Sequence, residues 1–150
     1  MKGQDVEKVI HGGTVIRARK ETGARIIDFS ASINPYPPEL SLSISREDLS
    51  DYPDDTYTEL KETIATRFGV SPDEITLGNG SIEILRTFCH CVLLPGDRVG
   101  VPSPTFGEYE YSSRLAGAIP GDGARAKVSF LCNPNNPTGQ MISEDAMRVF

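Results

Sequence analysis

The chain has 150 residues and a formal net charge of −6, which is enough length for one ordinary domain with a real core. The acidic balance, without any large cluster of Lys and Arg, argues against nucleic acid and anionic membrane surfaces as partners. No apolar run approaches the ~18 residues that a membrane span needs, and the polar start does not read as a signal peptide. Three cysteines, an odd number, predict a reduced cytoplasmic protein.

The first half of the chain predicts extended and turn segments around one clear helix. After a polar start, the run 25–29 is strand-like, and the proline-rich segment that follows must be extended or turned. The segment 40–50 fits neither pattern, and 51–55 has the composition of a turn. Apolar residues then recur at helical spacing within 57–68, and Gly69 supplies the stop.

The second half alternates between strand and helix patterns. Strands are predicted at 74–77, 97–101 and 127–132, and helices at 82–94 and 106–115. Ser143 has the features of an N-cap, because two acidic residues follow it in the first turn of a last helix. This alternation predicts an α/β fold whose sheet is largely parallel.

The stretch 131–139, Leu-Cys-Asn-Pro-Asn-Asn-Pro-Thr-Gly, ends the last predicted strand with two prolines and a glycine. Such a loop presents side chains at the carboxyl edge of the sheet, where open α/β sheets bind ligands. Asn136 offers amide donors and a carbonyl acceptor at that edge. A plain polar turn explains the same composition, and this stretch alone leaves the two interpretations about even.

The turn 78–81, Gly-Asn-Gly-Ser, joins a predicted strand to a helix. Its glycines let backbone N–H groups approach an anion, and the helix start adds a positive dipole end. With the Ser81 hydroxyl, the unit suits a phosphate monoester, although its spacing is neither that of a P-loop nor that of the dinucleotide fingerprint. The alternative is a strand-to-helix turn that needs glycine for backbone reasons only.

Two further clusters predict no chemistry. Cys89-His90-Cys91 lies on a helix, where neighbours point in different directions, so we expect two buried thiols at a helix end and no metal site. The acidic and aromatic residues 108–111 are interpreted as surface and packing residues of the next helix.

Six short motifs occur here in one order, and the resemblance that they carry covers nearly the whole chain. They are His-Gly-Gly, Asp-Phe-Ser-Ala-Ser-Ile-Asn-Pro, Tyr-Pro-Asp, Gly-Asn-Gly-Ser-Ile-Glu, Pro-Thr-Phe-Gly-Glu-Tyr and Asn-Pro-Asn-Asn-Pro-Thr-Gly. The order resembles the N-terminal part of fold-type I pyridoxal-phosphate enzymes of the histidinol-phosphate aminotransferase group. Within that group, the segments 11–13 and 28–35 and the residue Phe106 are most similar to the L-threonine-O-3-phosphate decarboxylases of cobalamin biosynthesis.

The resemblance implies a three-layer α/β fold, similar to aspartate aminotransferase, of which only the N-terminal half is expected here. Residues 1–38 would form the N-terminal arm and part of the small domain, and 39–150 the first half of the large, pyridoxal-phosphate-binding domain. The implied reaction is decarboxylation of a phosphorylated amino acid, L-threonine O-3-phosphate. The alternatives are a histidinol-phosphate-type aminotransferase and a non-catalytic remnant or half of a split enzyme.

The resemblance also assigns roles to eight residues. The cofactor phosphate is expected at the backbone amides of the helix start, the pyridine ring against an aromatic side chain, and the phenolic oxygen at an amide. A tyrosine is expected to reach the phosphate of a neighbouring subunit in a homodimer, and two residues to help bind the substrate phosphate. Gly80, Ser81 and Ile82 are expected to bind the cofactor phosphate, Phe106 to lie against the ring, and Asn136 to bind the phenolic oxygen. Tyr52 is the tyrosine that reaches the neighbouring subunit. His11 and Asn34 are the two residues at the substrate phosphate.

Simpler explanations remain open for three of these residues at this stage. Phe106 could be an ordinary core residue at a helix start, and Tyr52 could be a turn or interface tyrosine. His11, beside two glycines, could be a solvated turn residue.

Two departures from the family follow from the same alignment of motifs. The family's Schiff-base lysine lies well after the Asn-Pro-Thr-Gly loop, whereas no lysine follows Asn136 in this chain. A complementing C-terminal half is therefore an expected partner. The link 117–126 is also short, so we expect that a strand and a helix of the family fold are missing there.

Overall fold

The computed structural model describes residues 9, 14–29, 34 and 36–149. The chain divides into two compact units. One holds the described residues of Leu77–Phe150 together with Val9, and the other holds those of Ile10–Thr76. The predicted boundary between 38 and 39 stays a prediction. Along the described part of the chain, no helix combines the length and the apolar character that crossing a membrane requires.

The unit within Ile10–Thr76 is mainly helical. It contains α1 (Val15–Thr22), α2 (Arg46–Ser50), α3 (Thr58–Phe68) and a 3-10 turn at Pro72–Glu74. The predicted helix at 57–68 is confirmed by α3, and it ends at Gly69, whose backbone is left-handed with φ of 69°. Helix α2 starts at a capping box in which Ser45 and Asp48 bond each other's backbone N–H groups.

Two predicted strands are wrong, at 25–29 and at 74–77, because both segments lack strand structure. In the first, Ile27 and Phe29 are 72% and 93% exposed, so the apolar pattern has no sheet to pack on. In the second, Glu74 belongs to a 3-10 turn that is closed by a capping box with Ser71, and residues 75–77 pair with no strand among the described residues.

The unit that contains Leu77–Phe150 is an α/β structure. Its elements are α4 (Ser81–Val92), β1 (Arg98–Gly100), α5 (Gly107–Leu115), β2 (Ile119–Gly121), β3 (Val128–Ser129) and α6 (Glu144–Val149). The predicted helices at 82–94 and 106–115 and the strand at 97–101 are confirmed. The strand predicted at 127–132 is present but much shorter. The Ser143 hydroxyl accepts the Ala146 N–H at 3.3 Å, which confirms the predicted N-cap.

The three strands form one parallel sheet in the order β2-β1-β3. Strand β2 lies inside the link 117–126, so the expectation that a strand is missing there is wrong. The strand was not predicted because Ile-Pro-Gly carries no strand periodicity. Its backbone is instead held by β1, through the Ile119 N–H to the Asp97 carbonyl at 2.8 Å and the Val101 N–H to the Gly121 carbonyl at 2.9 Å.

No helix joins β2 to β3, because residues 122–127, all of them described, make the whole connection. This short link crosses β1 at Gly100: a Cβ there would lie 3.0 Å from the Cα of Gly123. The link is fastened by the Arg98 Nε, which donates to the Ala124 carbonyl at 3.0 Å, and by the Lys127 N–H, which donates to the Arg98 carbonyl at 2.8 Å. Two backbones without side chains at the crossing therefore replace the usual helical crossover.

The core of this unit lies between the sheet and the helix pair α4 and α5. Its buried apolar residues come from four elements or their ends: Cys89, Leu93, Val99, Ala118 and Phe130. The helices are also joined by an ion pair in which the Arg86 guanidinium lies 3.1 Å from the Glu108 carboxylate. Glu108 is only 2% exposed, so its predicted place among surface residues is wrong. A buried carboxylate requires such a partner, which the sequence pattern did not reveal.

Candidate functional site

A cleft of about 460 Å³ opens at the carboxyl edge of the sheet, a volume suited to a small-molecule ligand. It is lined by residues from α4, from the start of α5 and from the loop after β3: Ser81, Ile84, Leu85, Phe106, Tyr109, Cys132 and Asn136. The structure thus brings Ser81, Phe106 and Asn136 together, which the sequence separates by up to 55 residues (136 − 81 = 55). The roles predicted for them remain predictions.

The start of α4 forms one end of this cleft. Gly80 is the N-cap with φ of 80° and ψ of 170°, and no side chain caps the helix. An added Cβ at Gly80 would meet nothing within 4 Å, so the space around it is open. The first-turn N–H groups, which have no acceptor within a helix, can therefore bind an external acceptor beside the Ser81 hydroxyl.

Two side chains next to this helix start face elsewhere. The Glu83 carboxylate accepts hydrogen bonds from the backbone N–H and the side-chain amide of Asn79. The side chain of Ile82 lines a separate groove of about 640 Å³ on the other side of α4, together with Asn79, Glu83 and Arg86. Ile82 can thus contribute to the cleft through its backbone N–H, as predicted for it, rather than through its side chain.

An aromatic cluster forms the wall of the cleft. The Phe106 ring, at the N-cap of α5, meets the Tyr109 ring edge to face at 5.6 Å and 87°. Tyr109 in turn stacks on Phe130 at 4.8 Å with an interplanar angle of 7°. Burial, followed by the neighbouring Cys132 thiol, raises the pKa of Tyr109 to about 12. Phe106 is therefore held by packing along one edge and contributes an aromatic surface to the cleft.

The loop after β3 is held by Asn135 rather than by Asn136. The Asn135 side chain accepts from the Thr105 hydroxyl at 2.9 Å and donates to the Pro104 carbonyl at 3.0 Å and to the Thr138 hydroxyl at 2.8 Å. It therefore joins this loop to the segment that leads into Phe106. By contrast, the side-chain amide of the exposed Asn136 makes no hydrogen bond within the part of the chain that the structure describes.

Asn133 and Cys132 complete the support of this loop. The Asn133 side chain accepts from the Ile142 N–H at 3.1 Å and donates to the Ile142 carbonyl at 3.3 Å, which fixes the far end of the loop. The Cys132 sulfur accepts the Asn136 N–H at 3.4 Å and donates to the Pro134 carbonyl at 3.4 Å. Neighbouring asparagines thus have different tasks, which composition alone cannot distinguish.

Two of the predicted site residues belong to the other compact unit, and a third is not among the described residues. Tyr52 is fully exposed, and Asn34 is exposed with its side-chain oxygen accepting the Tyr36 N–H at 3.0 Å. Both belong to the other compact unit. His11 lies outside the described residues. The substrate and subunit contacts predicted for these three residues stay predictions.

The cysteines are all free thiols, but only one of the predicted pair at the end of α4 is buried: Cys89 is buried, whereas Cys91 is exposed. Within the described ranges, no group of three or more His, Cys, Asp and Glu side chains could hold a metal ion. Sequence reasoning missed Tyr109, Cys132 and Asn135 as residues of the cleft or its support. The motif that contains each of them was the available signal, but it did not show which side chain faces the cleft.

The chain belongs to the class I and II aminotransferase family, whose sequence model matches residues 25–121. It is 29% identical to the histidinol-phosphate aminotransferase of Moorella thermoacetica, over 97% of this chain and 43% of that protein. The chain thus spans less than half the length of this curated relative.

Solved structures give the same fold. The L-threonine-O-3-phosphate decarboxylase of Porphyromonas gingivalis matches with a TM-score of 0.55 and 23% identity, over 69% of this chain and 37% of that chain. The aspartate aminotransferase of Thermotoga maritima matches with a TM-score of 0.56 and 22% identity, over 91% and 38%. The predicted fold, the N-terminal half of a fold-type I enzyme similar to aspartate aminotransferase, is confirmed. The family depends on pyridoxal phosphate, as expected from the motifs.

Proposed function

We propose that the cleft at the carboxyl edge of the sheet is the pyridoxal-phosphate site of this chain. The observation that carries the proposal is the donor set of the cleft. A helix start without a side-chain cap, a hydroxyl, an aromatic wall and a side-chain amide with no partner among the described residues surround one volume of about 460 Å³. These groups fit a phosphate ester, a flat heterocycle and a phenolic oxygen.

In this proposal, Gly80, Ser81 and Ile82 bind the phosphate through backbone N–H groups and the Ser81 hydroxyl. No Lys or Arg is among the described residues that line the cleft, so the helix dipole and neutral donors supply the attraction. Phe106 lies against the ring, and Asn136 donates to the phenolic oxygen. The cofactor, when bound, supplies an electron sink for the carbanion left by bond cleavage at the substrate's α-carbon.

For the whole protein we propose decarboxylation of a phosphorylated amino acid, L-threonine O-3-phosphate. The motifs around His11 and Asn34, and Phe106 on the cleft wall, support this choice. Here Tyr52 would contact the cofactor phosphate of a second copy in a homodimer, and a complementing C-terminal half would supply the lysine. The cytoplasm is the proposed location, since the three cysteines are free.

A second candidate is transamination of histidinol phosphate. The observation in its favour is the name of the Moorella relative, which is 29% identical over 97% of this chain. The two candidates are separated by assaying the longest natural form of the protein with both substrates. Release of CO₂ from L-threonine O-3-phosphate supports the first, and amino transfer from histidinol phosphate to a 2-oxo acid supports the second. A protein active in neither assay would support the non-catalytic remnant.

The cofactor site itself is tested by equilibrium titration of the 150-residue chain with pyridoxal 5′-phosphate. Ser81→Asp should weaken binding at least ~10-fold, because a carboxylate at the helix start repels the phosphate. Ser143→Asp is the matched control, since it places the same charge at the start of α6 without lining the cleft. Equal affinities for Ser81→Asp and wild type would remove the phosphate assignment.

A further inference from the structure

We propose that Cys132, held beside Tyr109, is a positioning residue that sets how the Asn136 amide is presented to the cleft. What that amide binds rests on the proposed function, but the positioning itself is a property of the chain alone. The proposal concerns residues that the sequence motifs left without a role.

The first argument is the bonding of the Cys132 sulfur. This one atom accepts the N–H of Asn136 and donates to the carbonyl of Pro134, each at 3.4 Å. A thiol is a weak donor and a weak acceptor, so neither contact is strong alone. Together they fix the two peptide groups on either side of Asn135, the second of which leads into Asn136, and thereby restrict the directions in which the Asn136 side chain can point.

The second argument is what holds the thiol. Tyr109 and Cys132 line the same cleft, and the Cys132 thiol contributes, after burial, to the raised pKa of Tyr109. The Tyr109 ring is fixed by parallel stacking on the buried Phe130 at 4.8 Å and by its edge contact with Phe106 at 5.6 Å. Phe106 contacts Tyr109, Cys132 contacts Asn136, and all four residues line one cleft.

The third argument is the contrast with the core thiol of the same unit. Cys89 is fully buried among the apolar core residues, and burial raises its pKa. Cys132 is half-buried and lines the cleft. Its two hydrogen bonds are both made within the loop after β3, which fits a role in orientation rather than in core packing.

The test uses the 150-residue chain with five single substitutions. Cys132→Ala removes both sulfur contacts, whereas Cys132→Ser retains a donor and an acceptor. Tyr109→Phe keeps the stacked ring and removes the hydroxyl. Cys91→Ala and Tyr111→Phe are matched controls, because Cys91 is exposed and the Tyr111 ring faces Arg86 at 5.3 Å.

Three measurements are made on each variant. They are the amide and side-chain NMR signals of Asn136 without ligand, the dissociation constant for pyridoxal 5′-phosphate, and the absorption maximum of the bound compound. Cys132→Ala should shift the Asn136 signals, weaken binding about five-fold, and displace the absorption maximum, which responds to the hydrogen bond at the phenolic oxygen. Cys132→Ser should restore most of each effect. Tyr109→Phe should shift the same signals to a smaller extent, and the controls should match wild type.

The proposal is overturned if the Asn136 signals and the absorption maximum are the same in Cys132→Ala as in the control Cys91→Ala. It is also overturned if Cys132→Ser behaves like Cys132→Ala in a folded chain, since hydrogen bonding at this position would then be irrelevant. Failure of the proposed function is distinguishable, because wild type would then not bind pyridoxal 5′-phosphate. In that case the NMR signals of the ligand-free chain still decide whether Cys132 orients Asn136.

Discussion

Gly100→Ala tests the crossing of the short β2–β3 link over the central strand. The added Cβ would lie 2.6 Å from the Ser129 hydroxyl oxygen and 3.0 Å from the Cα of Gly123. The first neighbour belongs to a small side chain, but the second is backbone with φ of 89°, which cannot move without reshaping the link. We therefore expect an overpacking cost of about 1–3 kcal/mol in the free energy of unfolding.

The matched control is Gly121→Ala on the neighbouring strand. Gly121 pairs with Gly100 in the sheet, yet an added Cβ there would meet nothing within 4 Å. Gly121→Ala should be neutral or stabilising by about 0.4–1 kcal/mol, because alanine restricts the unfolded chain. Thermal unfolding followed by far-ultraviolet circular dichroism should show Gly100→Ala melting roughly 2–12 °C below wild type and the control at or above it.

A double variant separates the two contacts at Gly100. Gly100→Ala with Ser129→Ala removes the hydroxyl oxygen at 2.6 Å but leaves the Ser129 Cβ position at 3.2 Å and the Gly123 backbone at 3.0 Å. We expect it to recover only part of the lost stability. Full recovery would show that the hydroxyl alone limits the space. Equal melting temperatures for Gly100→Ala and Gly121→Ala would refute the crossing itself.

Three further predictions concern the cleft. Because the pKa of Tyr109 is raised to about 12, its contribution to stability is complete below pH 10 and is lost as pH rises toward 12. Urea titrations across that window should show the free energy of unfolding of wild type falling by about 1–2 kcal/mol more than that of Tyr109→Phe. Parallel pH dependences for the two proteins would contradict this. Asn135→Ala removes three side-chain hydrogen bonds and should cost about 2–3 kcal/mol, whereas Asn136→Ala, which loses none in the described structure, should unfold as wild type does. Because no lysine is among the described residues that line the cleft, borohydride treatment with pyridoxal 5′-phosphate should label exposed amines only in a scattered way; a stoichiometric pyridoxyl adduct on one lysine would contradict this.

The longer helices were predictable from the sequence because their signals are local. Helix α3 shows apolar spacing and a terminal glycine, and α4 starts at the Gly-Asn-Gly-Ser turn. The strands were less predictable, because a strand forms only where a partner exists. The run 25–29 has strand-forming residues but no strand structure, whereas Ile119–Gly121 has a proline at its centre and is a strand because β1 lies beside it.

The candidate site was likewise predictable from the sequence only in part. The motif order placed Ser81, Phe106 and Asn136 in one functional group, and the structure brings them to one cleft. The separate tasks of the adjacent Asn135 and Asn136 were not predictable, because the sequence contains two identical side chains in a row. Which amide points to Thr105 and which points to the cleft is decided by the backbone of the loop and by its packing on the neighbouring segment.

The proline at the centre of β2 limits how the sheet can grow. The backbone hydrogen-bonding groups of Ile119 and Gly121 point toward β1, so those of Pro120 point to the opposite side of the strand. Proline has no N–H to donate there. A further strand that paired with this edge of the sheet would lack a backbone hydrogen bond at the middle residue of β2. Of the two rims of the described sheet, the one along β3 carries no such interruption, since its residues are Val128 and Ser129.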